Sequence, residues 1–212
     1  MGNLNAPFGF RPTSHITGYG NRLNPYSIAS GLAETIGLYD LVKSDGAGGI
    51  QKAAAGDAFA GYFMGWNLED EGISSVNHQG SAQGTIPYFK MWVSGTVLPS
   101  GKVARALVSD DPFELVEAQT SQSLTEADIG ALVNLVDAAP DGAYGVSRQT
   151  VGASGGGAAQ FRVERILQKP QRHVDGNNNT TGYDLSGTGQ YAIVLLKPMK
   201  HERGGSAMGV AV

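Results

Sequence analysis

The sequence predicts a mainly β fold, an antiparallel barrel or sandwich with one substantial helix and an extended N-terminal arm. Three observations carry that expectation. Glycine makes up 31 of 212 residues, about twice its usual ~7% share, which suits a chain that turns often and brings backbones close together. The apolar runs are short and alternate with polar residues, and clusters of Gly, Asp, Asn, Ser and Pro separate them. The most continuous run, Tyr191 to Lys197 (YAIVLLK), has the length of a central strand buried on both faces. A chain of this size can hold one domain with a genuine apolar core. We divide it into an arm over residues 1–30, a β-rich head over 31–200 and a flexible tail over 201–212.

In the arm neither a helical nor a sustained strand period appears. Pro7, Pro12 and Pro25 bias the residues before them toward extended backbone. Phe8, Phe10, Ile16, Tyr19, Leu23 and Tyr26 recur too often for an inert linker. Fully extended, such a segment of ~30 residues spans on the order of 100 Å, enough to reach a neighbouring molecule. Ala33 to Lys43 alternates at Ile36, Leu38 and Leu41, and with the turn-rich Ser44 to Gly49 and then Ile50 to Ala53 it predicts a hairpin. Ala58 to Trp66 reads as a core strand whose Gly61 and Gly65 mark bulges or close backbone packing. Glu69 to Thr85 predicts an exposed loop, and Ile86 to Leu98 a strand with Pro87 at its start or edge. Lys102 to Ser109 and Phe113 to Gln119 read as two antiparallel strands joined tightly through Asp110-Asp111-Pro112. The helix is expected over 125–136, where Thr125-x-x-Asp128 resembles a capping box and Ile129, Leu132, Val133 and Val136 recur at helical spacing. Ala143 to Val151 predicts a short strand, Gly152 to Ala158 a loop, Gln160 to Gln168 an alternating strand, and Gly176 to Gly182 an exposed tip.

Charge and composition narrow the function classes. Lys and Arg number 15 against 19 Asp and Glu, and the net charge of −4 offers no basic field for nucleic acid. No apolar run approaches the ~18 residues of a membrane span, and Met1 to Phe10 lacks the pattern of a secretory leader, so a soluble protein is expected. With no cysteine, disulfides, thiolate nucleophiles and cysteine metal sites are excluded.

Motifs for chemistry fail on spacing or context. Gly152-Ala153-Ser154-Gly155-Gly156 matches the string of a nucleophile elbow, but that motif needs a helix after it and here a strand is expected. His15, His78, His173 and His201 do not pair at metal-site spacing and read as surface or interface histidines. Asp175-x-Asn177-x-Asn179 imitates a calcium loop, yet Thr180 and Ser186 stand where Gly and a bidentate Glu are required. Glu69-Asp70-Glu71 and Asp110-Asp111 read as solvated turns, because adjacency does not place two carboxylates across a substrate. Trp66 and Trp92, with Tyr88 and Phe89, read as core more readily than as a sugar or base platform. Accordingly no catalytic residue, cofactor or metal is expected.

The start, Asn5-Ala6-Pro7-Phe8-Gly9-Phe10-Arg11-Pro12, resembles the N-terminal signature of the structural cement, or capsid decoration, proteins of tailed bacteriophages. The resemblance extends to Tyr26 to Gly31 (YSIASG), to the AAAGD and GYF stretches between Ala53 and Phe63, and to FRVERIL at Phe161 to Leu167. It implies a non-enzymatic virion protein, made in the host cytoplasm, that binds the outer capsid surface. Its implied partner is the HK97-fold major capsid protein, whose capsomers it bridges, with a homo-oligomer (dimer or trimer) on the shell. The stretch from Glu126 to Pro140 and the glycine-rich tail depart from that pattern. Pro7, Phe8, Phe10, Arg11 and Pro12 are then the expected partner-binding residues, with Phe8 and Phe10 as anchors and Arg11 as a hydrogen-bonding group. On this reading, deleting residues 2–22 abolishes partner binding and leaves the head folded. The competing arrangement folds Phe8 and Phe10 back onto their own domain. Two other functions fit the residues: a minor capsid or tail component with the same plan, or a glycan-binding or hydrolytic β domain using Trp66, Trp92 and the acidic turns.

Overall fold

The computed structural model describes residues 5–16, 18, 22–70, 88–153, 159–167, 171–174, 180–184 and 191–203. Two antiparallel sheets dominate them. The first runs in the order β1 (Arg11–His15), β8 (Glu114–Gln119), β14 (Ile193–Pro198), β11 (Phe161–Ile166), β9 (Leu132–Val136) and β10 (Thr150–Ala153). The second runs β2 (Leu23–Ile28), β7 (Lys102–Ser109), β5 (Gly61–Asp70), β3 (Leu41–Ser44) and β4 (Ile50–Lys52), with the two-residue β6 (Tyr88–Phe89) paired to β5. A separate hairpin joins β12 (Gln171–Val174) to β13 (Thr180–Asp184). Both sheets roll toward closure. A bridge between Thr120 and Val151 brings the end of β8 to β10, and one between Ser27 and Gly49 brings β2 beside the start of β4.

Side-chain size and alternation build two adjoining cores. In β7, Ala104, Ala106 and Val108 face inward, and these small residues leave room for the indoles of Trp66 and Trp92, which meet edge to face at 5.1 Å. The first sheet encloses Val116, Ala118, Val133, Leu135, Phe161, Val163, Val194 and Leu196. In β3 and β5, neighbouring residues point to opposite faces, so Leu41 and Tyr62 enter the first core while Val42 and Phe63 enter the second. These strands therefore form a wall shared by the two cores.

β14 lies inside the first sheet, as the run at Tyr191 to Lys197 predicts, and the expected hairpin forms as β3 and β4. The expected helix over 125–136 does not form. Among the described residues there is no α-helix; Glu126–Asp128 make a single 3-10 turn, and β9 begins at Leu132. The Asp128 carboxylate does accept the Thr125 N–H (2.7 Å) and hydroxyl (2.9 Å). Gly130 then takes a φ of 89°, which stops helical propagation, and Leu132–Val136, with the β-branched Val133 and Val136, pairs with β10 and β11. The strand expected over Ile86 to Leu98 is reduced to β6 and a single bridge from Trp92 to Ile36. β7 and β8 are joined tightly but do not pair, because each enters a different sheet. Glu69, expected in an exposed loop, is instead a buried residue of β5 with its carboxylate 3.6 Å from Arg105.

Candidate interaction surface

The N-terminal segment lies against its own domain, where β1 is the outermost strand of the first sheet and β2 belongs to the second. It starts with the Ala6 N–H donating to Gln119 Oε1 at 3.0 Å. Gly9 has a φ of 75°, and a Cβ there would fall on the Ser147 side chain and the Tyr39 carbonyl, so glycine is required. This turn sends Phe10 inward. The ring is fully buried and stacks on Phe161 at 4.9 Å, and the Phe10 backbone N–H donates to the Tyr39 carbonyl at 2.9 Å. Phe10 is thus a core residue of this domain, unavailable as an anchor for a partner. Phe8 stays half-buried with the Arg11 guanidinium over its ring at 5.1 Å, and Arg11 Nη2 donates to Glu117 Oε2 at 2.5 Å. Pro12, opposite Val116, is half-buried. The five sequence-predicted residues therefore split, with Arg11 exposed, Phe8 half-buried beneath it, Phe10 inward, Pro12 in the sheet, and Pro7 at the rim of a cleft.

That cleft, about 460 Å³, is lined by Asn5, Pro7, Ser121, Ala138, Arg148, Thr150 and Tyr191. Tyr191 takes a φ of 61°, and its carbonyl accepts Gln119 Nε2 at 3.1 Å.

At the opposite end of β1 a polar cluster ties the termini together. Asp110, only 2% exposed, accepts Asn24 Nδ2 (2.6 Å), the Tyr26 hydroxyl (2.6 Å) and Arg203 Nη1 (2.8 Å). Burial, with the Asp110 hydrogen bond, pushes the Tyr26 phenol up to about 12, which keeps it a donor. His15 Nε2 lies 3.0 Å from Asp111, and the Ser109 hydroxyl donates to Glu114 at 2.5 Å. Burial pushes the Glu114 carboxyl up to about 7, against the Ser109 hydrogen bond and with help from nearby Asp111. His201 is buried, its Nδ1 accepts the Arg203 N–H at 3.1 Å, and desolvation pushes it down to about 4, so it remains neutral. Sequence reasoning placed Asp110 in a solvated turn. Neither nearby Pro112 nor the distant arginine signals that two segments, β2 and the stretch at Arg203, converge on one carboxylate.

Trp66 and Trp92 are both buried, which leaves the glycan-platform reading without exposed indoles, although Tyr88 and Phe89 stay exposed. Ser154 to Gly156 of the elbow string, the calcium-like Asp175 to Asn179, His78 and the end of the tail lie outside the described residues. Among the described residues no group of three or more His, Asp or Glu side chains converges as metal ligands, and no helix is long and apolar enough to cross a membrane. No family model, curated protein or solved structure matches the chain.

Proposed function

We propose that this chain is a non-enzymatic structural protein of a bacteriophage particle, a cement or decoration protein that binds the outer capsid surface and holds major capsid protein subunits together. One observation carries the reading. The segment that resembles the cement-protein signature, Asn5 to Pro12, lies on the surface with Arg11 exposed, Phe8 half-buried under its guanidinium and Phe10 locked in the core. Such a preorganised face loses little conformational freedom on docking. Many copies on one shell then multiply a modest contact energy.

The mode of binding differs from that of a reaching arm. Truncating a buried phenylalanine costs about 3–5 kcal/mol, so Phe10 cannot leave its place cheaply. Deleting residues 2–22 would remove both Phe10 and β1, and the head would not survive intact. The informative variant is Phe8→Ala/Arg11→Ala, which leaves Phe10 in place. In co-sedimentation with shells of HK97-fold major capsid protein, the double variant should bind at least tenfold more weakly than the parent while its thermal midpoint moves by only a few degrees. Undiminished binding would overturn the assignment of this face.

A further inference from the structure

We infer that the cleft beside Pro7 is a carboxylate-binding site in which Arg148 receives an acidic group, supplied by an Asp or Glu side chain of a partner protein. Among the described residues the lining supplies one cation and no carboxylate: Arg148 with Asn5, Ser121, Thr150 and Tyr191 as uncharged polar groups. In a chain of net charge −4, such a lining favours an anion over a cation, and the one carboxylate beside Arg148, Asp141 at 3.6 Å, lies outside it.

Arg148 is also weakly engaged. Among the described residues its ion pair is to Asp141 Oδ2 at 3.6 Å, and its side chain is 57% exposed. The reason lies in the neighbouring turn. Asp141 Oδ1 accepts the backbone N–H groups of Ala143 (2.9 Å) and Tyr144 (3.2 Å), so that carboxylate is committed to shaping residues 141–145. A guanidinium carries five donors in a planar fork suited to bidentate carboxylate recognition, and a single long contact leaves most of that capacity unused.

The walls around Arg148 are fixed. A Cβ at Gly152 would stand 2.8 Å from Val136 Cγ2 and 3.2 Å from Ser121 Oγ, so the backbone packs closely there. Ser121 Oγ donates to the Val151 carbonyl at 3.2 Å. Tyr191 keeps a left-handed backbone that a non-glycine residue rarely adopts. The Ala192 carbonyl accepts the Thr120 N–H at 2.9 Å, which holds that turn in place. Strain maintained at a cleft by surrounding bonds is typical of ligand-holding positions. The cleft is open and of mixed polarity, which suits a side chain projecting from another protein surface. It adjoins the signature segment through Pro7, but the inference does not require that the partner be a capsid.

The test is a titration of the full chain, followed by NMR, with three probes: glutarate, N-acetyl-Gly-Glu-Gly-amide, and its neutral Gln counterpart. The Glu peptide should shift the resonances of Ser121, Arg148 and Thr150 with millimolar affinity. Arg148→Ala should weaken it at least tenfold, and Arg11→Ala should leave it unchanged. Tighter binding of the Glu peptide than of glutarate assigns the site to a protein-borne side chain; the reverse order overturns that source and leaves a site for free dicarboxylates. No shift with either acid, or equal binding of the Gln peptide, overturns the site altogether. A positive titration in a protein that ignores capsid shells would sink the capsid assignment and leave this one standing.

Discussion

Glu114 and its neighbours show how single residues set the conditions under which this protein holds together. Its carboxyl is buried beside Asp110 and Asp111, and its folded pKa of about 7 exceeds its ordinary value of 4.5. A group whose pKa is raised by folding contributes stability that is complete below its unfolded value and is lost as pH rises through its folded value. Stability should therefore fall between pH 4.5 and about 7, and Asp40, raised by burial to about 6, adds to the same slope. His201 acts in the opposite sense, since its lowered value of about 4 gives stability that is present above about 6.5 and lost as pH falls. Glu114→Gln keeps an acceptor for Ser109 and removes the titration. It should gain about 3 kcal/mol relative to the parent at pH 8 and almost nothing at pH 4.5, measured by urea unfolding. A parallel pair of stability curves would show that Glu114 does not titrate in this range. At this scale the sequence was least informative. Phe8 and Phe10 look alike in it, and only the positive φ at Gly9, a consequence of close packing against Ser147, decides that one ring enters the core.

Elements were legible where a strand's own residues dictate it and illegible where the deciding contact is remote. The alternation of β7 and β11 and the unbroken apolar run of β14 are properties of local sequence, and all three strands form close to where they are expected. The stretch 125–136 satisfies two templates at once, with its apolar residues fitting a helical face while the β-branched Val133 and Val136 suit a strand. Gly130 breaks the tie, and pairing with β10 and β11 rewards the strand. Gly130→Ala places a side chain at a φ of 89° in open space, so only backbone strain is added. The cost should be about 1–2 kcal/mol in chemical denaturation, with no gain in helical circular dichroism. An increase in helix content would mean that the glycine alone had been holding the helix back. Pairing between strands was the other blind spot. Nothing in Lys102 to Gln119 announces that β7 and β8 separate into different sheets, because the strands they pair with, β2 and β5 for one and β1 and β14 for the other, lie far off in the chain.

On the scale of the whole molecule, the two rolled sheets are not independent. β3 and β5 place alternate residues in both cores, so neither core can be exposed without disturbing the wall they share. Unfolding should accordingly be a single cooperative event. Both tryptophans, Trp66 and Trp92, report on the second core, whereas far-ultraviolet circular dichroism reports on both sheets. The two signals should give coincident midpoints and slopes in urea, and a fluorescence transition that precedes the circular dichroism change would reveal two separable units.

The clasp on Asp110 bears on how the chain reaches this state. Tyr26 and Arg203, which share a 2.9 Å hydrogen bond, stand 177 positions apart, and Ala6 meets Gln119 across 113. A ribosome delivers the N-terminal strands long before their partners exist, and contacts of such separation slow folding because loop closure precedes any reward. β2 can pair with β7 as soon as that strand emerges, but its tyrosine waits for the arginine. Arg203 thus adds a late bond to a strand that β7 has already paired, and the Tyr26 hydroxyl waits for it across 177 positions of synthesis.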